Sequence, residues 1–144
     1  MEHALDVEIE IAVPPARVFA AWTKPELVKA WWQVPGEFRT VAFDSDLRVG
    51  GKWQARFETE DGTKFGTGGA YVGLAEPSLL NFTWKAMWED CAPSIARMDF
   101  TANAAGTTLK LHHTRFQSAQ EAVANREAWV SALGLLKAYL EASA

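Results

Sequence analysis

Cysteine is almost missing from this sequence. Cys91 is the only one in 144 residues, so no internal disulfide can form and a reducing compartment is the natural home. It lies between Trp88-Glu89-Asp90 and Pro93, where neighbouring carboxylates disfavour a thiolate, which argues against a reactive nucleophile. Basic runs are missing too. The 14 Lys and Arg are scattered among 18 Asp and Glu, giving a formal net charge of −4. A phosphate-backbone partner would favour a clustered basic surface, so nucleic acid is not an expected partner. Long apolar runs are also lacking. The uncharged stretch of the C-terminal region stops at Lys137, far short of a membrane span, and no membrane insertion is expected. No basic region followed by a long apolar stretch comes after Met1, so the expectation is no secretory leader and a cytoplasmic location.

Two further absences concern chemistry. His112 and His113 are adjacent, and neighbours in a strand point to opposite faces, so the pair cannot ligate one ion. With no Cys or carboxylate set at recognisable spacing, neither a metal nor a cofactor is expected. Gly66-Thr67-Gly68-Gly69 is similar to a phosphate loop but lacks the following Lys-Ser/Thr and the ensuing helix. Glycines inside a strand more often mark a bulge or a close backbone approach, with the final helix as the expected neighbour.

Aromatic residues, in contrast, are plentiful: seven Trp and eight Phe in a chain whose composition is 49% apolar. That size and composition suit one domain over residues 1–144, built on one core. Val7, Ile9, Ile11 and Val13 alternate with polar or small residues, the period of a half-buried strand. Pro14-Pro15 ends it and opens a short helix. Thr23 and Glu26 have the spacing of a capping box for a second short helix, which stops near Pro35-Gly36. From Phe38 to Phe116, alternating runs are separated by turn signals such as Asp61-Gly62 and Asn103-Ala104-Ala105-Gly106. The connections are too short for crossover helices, which predicts an antiparallel meander. Ser118 and Glu121 form a second capping box, and Ala122, Trp129, Leu133, Leu136 and Leu140 then make one apolar stripe of a long helix.

The expected fold is therefore α+β: a curved antiparallel sheet of about six to seven strands around a long C-terminal helix, with two short helices after the first strand. One helix fills such a cup poorly, which leaves room for an internal cavity. Trp53, Trp84 and Trp129 fall on interior faces, as does Met98, which alternates with Arg97 and Asp99. His113 shares parity with Leu109 and Leu111 and should point inward, while His112 faces solvent. The register of Tyr71 stays open, because the surrounding glycines permit bulges. Trp22 and Trp32 are expected to pack the short helices onto the sheet. A homodimer is permitted by the scattered exposed apolar residues Val130 and Leu135 and is not demanded by them.

Several pieces of the sequence, in order, carry a family pattern: Pro14-Pro15 with Val18-Phe19, Trp22-Thr23 with Pro25-Glu26-Leu27, Trp31-Trp32, Asp46-Leu47-Arg48-Val49-Gly50-Gly51 with Trp53, Asp61-Gly62, Pro77 with Leu80 and Trp84, Gly106-Thr107 with Leu109 and Leu111, His113 with Phe116, and Trp129 with Leu133 and Leu136. On these the chain resembles the activator-of-heat-shock-ATPase-like branch of the superfamily that also holds the START and birch-pollen-allergen folds. The resemblance implies the helix-grip fold with a hydrophobic pocket between sheet and helix. Relatives often carry a His four residues before the helix Trp and a Gly just before it; here Asn125 and Ala128 stand there.

Cup, aromatic lining and resemblance together favour a non-enzymatic protein that binds a small hydrophobic or aromatic molecule. The expected ligand-binding residues are Trp53, Tyr71, Trp84, Met98, His113, Trp129, Leu133 and Leu136, with His113 as the polar handle and no catalytic set. The resemblance also implies two alternatives. One is an enzyme of the polyketide cyclase or aromatase type, for which His113, with Tyr71 behind it, is the best acid or base. The other is an accessory protein of a chaperone ATPase or of a stress response, a partner implied only by the family name.

Overall fold

The period of two at the N-terminus becomes strand β1 (His3–Ile11), with Leu5 and Ile11 buried and Glu8 and Glu10 in water. This computed structural model describes residues 3–86 and 93–142, so the expectations attached to Trp88 and Cys91 lie outside the described residues. Two short helices follow, α1 (Pro15–Thr23) and α2 (Pro25–Trp31), each opened by a proline. Proline suits a first helical position, since its missing N–H has no partner there anyway.

The expected capping box at Thr23 does not form. Lys24 is at once the last cap of α1 and the first of α2, with no side-chain cap. The Thr23 hydroxyl donates instead to the Phe19 carbonyl at 2.9 Å, one turn back in its own helix. The two helices are tied by the Trp31 indole N–H, which donates to the Ala21 carbonyl at 2.7 Å.

Seven more strands complete the sheet: β2 (Gln33–Val34), β3 (Phe38–Ser45), β4 (Lys52–Thr59), β5 (Lys64–Ala75), β6 (Leu79–Ala86), β7 (Ser94–Asn103) and β8 (Gly106–Phe116). Their order is β1-β8-β7-β6-β5-β4-β3-β2, antiparallel throughout. Among the described residues the sheet has eight strands, not six or seven. The extra strand, β2, is two residues paired with the start of β3, too short to leave a periodic trace. The sheet curls into a half-barrel around α3 (Ala119–Ala142).

The predicted stripe of α3 is buried in full: Ala122, Trp129, Leu133, Leu136 and Leu140. Burying a leucine of this kind contributes about 1.5–3 kcal/mol. The helix begins as its sequence indicates, with the Ser118 hydroxyl accepting from the Glu121 amide at 3.1 Å and the Glu121 carboxylate accepting from the Gln117 amide at 3.1 Å. Its far end is fixed to β1. The Lys137 ammonium donates to the Glu10 carbonyl at 2.7 Å, and the Glu141 carboxylate accepts from the Ala12 amide at 2.9 Å.

Glycines in β5 are explained by the neighbouring strand, not by the helix. A Cβ on Gly69 would lie 2.0 Å from the Thr83 carbonyl oxygen of β6. A bulge between Tyr71 and Gly73 resolves the register and turns Tyr71 into the core.

Candidate functional site

The concave face of the sheet and the flank of α3 are joined by a chain of aromatic rings. Trp32, just after α2, meets Phe57 of β4 edge-on at 4.9 Å, Trp84 of β6 at 6.2 Å and Trp22 of α1 at 5.9 Å. Trp84 in turn meets Trp129 of α3 at 5.2 Å. On the other side, Phe38 of β3 and Phe65 of β5 flank Phe57 at 5.6 and 5.0 Å. These rings come from α1, α3 and the four strands β3 to β6, with Trp32 just after α2, and on each strand interior positions alternate with exterior ones.

They leave two spaces. The outer one is a cleft of about 280 Å³ between α3 and strands β3 to β6, lined by Trp32, Val34, Phe38, Phe57, Phe65, Trp84, Asn125, Ala128, Trp129, Ser131, Ala132 and Leu135. The inner one, about 20 Å³, is lined by Trp22, Trp32, Phe43, Trp53, Tyr71, Leu80, Phe82 and Trp84. Trp32 and Trp84 line both. A larger trough of about 620 Å³ crosses Gly68 and Gly69 between Lys52, Gln54 and Lys85, but it is broad and open. The cleft is the better-formed site for a small molecule, being apolar and sheltered by the helix.

Of the eight expected ligand residues, Trp84 and Trp129 line the cleft, and Trp53 and Tyr71 line the inner cavity with Trp84. Met98, Leu133, Leu136 and His113 are fully buried and are not among the lining residues of either space. Sequence reasoning assigned Trp22 and Trp32 only to helix packing. Phe38, Phe57 and Phe65 are not among the residues expected from the sequence, and the signal for Phe57 is the alternation of Trp53, Ala55 and Phe57 with Gln54, Arg56 and Glu58. Asn125 and Ala128, where the chain departs from the family pattern, both line the cleft.

His113 is held in a directional chain. The Trp129 indole N–H donates to His113 Nδ1 at 3.0 Å, and His113 Nε2 meets the Ser94 hydroxyl at 2.7 Å. The hydroxyl donates to the Trp84 carbonyl at 3.0 Å. An indole has only a donor, so Nδ1 must carry the lone pair and the ring proton sits on Nε2, pointing at Ser94. Burial, and secondarily the neighbouring His112, push the His113 pKa down to about 4. At neutral pH the ring is uncharged with both nitrogens committed. The Nδ1 acceptor holds the Trp129 indole N–H behind the cleft wall.

Tyr71 is also paired, its hydroxyl 2.7 Å from that of Ser45, and burial raises its pKa against that hydrogen bond. Among the described residues, no group of three or more His, Cys, Asp or Glu could hold a metal ion, and no helix is long and apolar enough to cross a membrane.

A curled antiparallel sheet gripping a long C-terminal helix over an apolar cleft is the architecture of the Bet v 1-like superfamily. Within it, residues 12–141 match the family model described as Activator of Hsp90 ATPase homolog 1-like protein, and the chain belongs to that family. Solved structures agree on the fold. The AHSA1 protein of Silicibacter pomeroyi is 25% identical over 99% of this chain and 100% of its own, with a TM-score of 0.83. The AHSA1-like protein of Aeromonas hydrophila is 20% identical over 98% and 94%, with a TM-score of 0.86. A protein of Chromobacterium violaceum is 23% identical over 96% and 97%, with a TM-score of 0.84. Among curated proteins, none gives a significant match.

Proposed function

We propose that the chain binds a small apolar or aromatic molecule, without transforming it, in the cleft between α3 and the concave face of the sheet. The observation that carries this reading is the cleft wall itself. Six of its residues are Trp or Phe, and Asn125 and Ser131 at the helix flank are its polar side chains apart from the indoles. A volume of about 280 Å³ lies near the lower end of the ~300–1,000 Å³ typical of ligand pockets, which suits a ligand of one or two fused rings.

The test is a titration of tryptophan emission with naphthalene-type and short acyl-chain probes, with stoichiometry read by native mass spectrometry. One-to-one binding is expected, with emission changed through Trp32, Trp84 and Trp129. Ala128→Phe places a ring in the cleft from an exposed helix position and should abolish binding while the circular dichroism spectrum stays unchanged. If no probe binds the wild type at millimolar concentration, or if the variant binds as well as the wild type, the reading is wrong.

A further inference from the structure

One wall residue of the inner cavity, Trp22, carries a buried donor without a partner among the described residues. Trp22 is 7% exposed, and its indole Nε1 is buried without a hydrogen-bond partner among the described residues. The other buried indoles of α2, β4 and α3 are satisfied: Trp31 by Ala21, Trp53 by the Thr83 carbonyl at 3.2 Å, and Trp129 by His113. Buried polar groups are nearly always hydrogen-bonded, so an orphan beside a cavity points to something that enters it.

The cavity's volume of about 20 Å³ is the size of one oxygen-centred group. A water there needs two to four polar partners. Among the described lining residues, the Trp22 N–H is the one fully buried donor without a partner, since the Tyr71 hydroxyl is paired with Ser45 and the Trp53 N–H with Thr83. A single acceptor oxygen attached to an apolar body matches that inventory better. No Lys, Arg or His lines the cavity, so an anionic head would enter without a counter-charge. The two spaces share Trp32 and Trp84 as walls, with ring centroids 6.2 Å apart.

We infer that the inner cavity is a head-group subsite of the cleft, in which the Trp22 indole N–H donates to the carbonyl oxygen of an otherwise apolar, uncharged ligand. The inference rests on the cleft being a binding site and adds the chemical class of the molecule it selects: an aryl or alkyl ketone or ester, not a hydrocarbon, an acid or an amine.

A matched pair of probes separates the two readings. 2-Acetylnaphthalene and 2-isopropenylnaphthalene have the same shape and differ in one oxygen. Wild-type protein should bind the ketone roughly tenfold more tightly, as expected for satisfying one buried donor. Trp22→Phe should remove that preference, so that the ketone binds no more tightly than the hydrocarbon. In ¹⁵N-tryptophan-labelled wild-type protein, the Trp22 indole proton should move downfield with the ketone alone. If both probes bind equally and the Trp22 signal stays put, the subsite is wrong and the cleft stands. If neither binds, both readings fall. A Trp22 indole proton that exchanges magnetisation with a long-lived water in free and ketone-bound protein alike also overturns the subsite. Should Trp22→Phe not fold, the probe pair and the indole signal on wild-type protein still decide.

Discussion

His113 of β8 is neutral because it is buried, and its neutrality is what lets Nδ1 accept from Trp129. In the unfolded chain the imidazole takes a proton near pH 6.5, whereas in the fold it does so only near 4. Between those values the unfolded state binds more protons, so stability falls as pH drops through this window and levels off below it. The loss is about 3 kcal/mol if the full difference is expressed. Urea unfolding at pH 7 and pH 4.5 should show this loss in the wild type. His113→Gln, which keeps an acceptor for Trp129 and a donor for Ser94, should be less stable at pH 7 and lose less on acidification. An equal loss in both proteins would mean that His113 is not the group responsible. Trp129→Phe has a second expected effect at this scale. It leaves Nδ1 buried and unpaired, so it should cost about 1–3 kcal/mol beyond the packing lost.

At the scale of elements, sequence and structure agree where a local signal had no rival. The Ser118 hydroxyl caps α3 by accepting from the Glu121 amide, and Ser118→Ala should cost about 1 kcal/mol in thermal or urea unfolding. Thr23 had the same apparent signature, but the Phe19 carbonyl lies within reach inside α1, and α1 simply continues through Thr23. Parity placed Trp53, Trp129, Met98 and His113 indoors correctly, since alternation in a strand and the stripe on a helix decide only inward from outward. They do not say which inward residues meet empty space. That depends on how the helix lies across the sheet, so Leu133 and Leu136 became filled core while Phe38 and Phe65 became cleft. The glycines of β5 show the same limit. Gly69→Ala should cost about 1–3 kcal/mol or more by overpacking, because the Thr83 carbonyl stands where the methyl group would go.

For the whole molecule, the cleft follows from a mismatch of widths. Eight strands at ~4.8 Å spacing make a sheet roughly 34 Å across before it curls, and a helix with its side chains is only ~10–12 Å thick. α3 is pinned toward β1 by Lys137 and Glu141 and toward β8 by the Trp129–His113 bond. The two short helices close over part of the remaining concave face, α1 reaching β7 through Phe19 and Phe100 at 6.0 Å. The surface left over, between α3 and β3 to β6, is where the aromatic residues stand. A ligand seated there binds the folded state alone and must stabilise it. At a free concentration of about 100 times Kd the gain is about 2.7 kcal/mol, which for a chain of this size raises Tm by roughly 5–15 °C. Ala128→Phe fills the same space covalently. Its unliganded Tm should equal or exceed that of the wild type, and it should show no further rise with 2-acetylnaphthalene. A variant that still gains several degrees with the probe would place the binding site elsewhere on the molecule, the open trough over Gly68 and Gly69 being the next candidate.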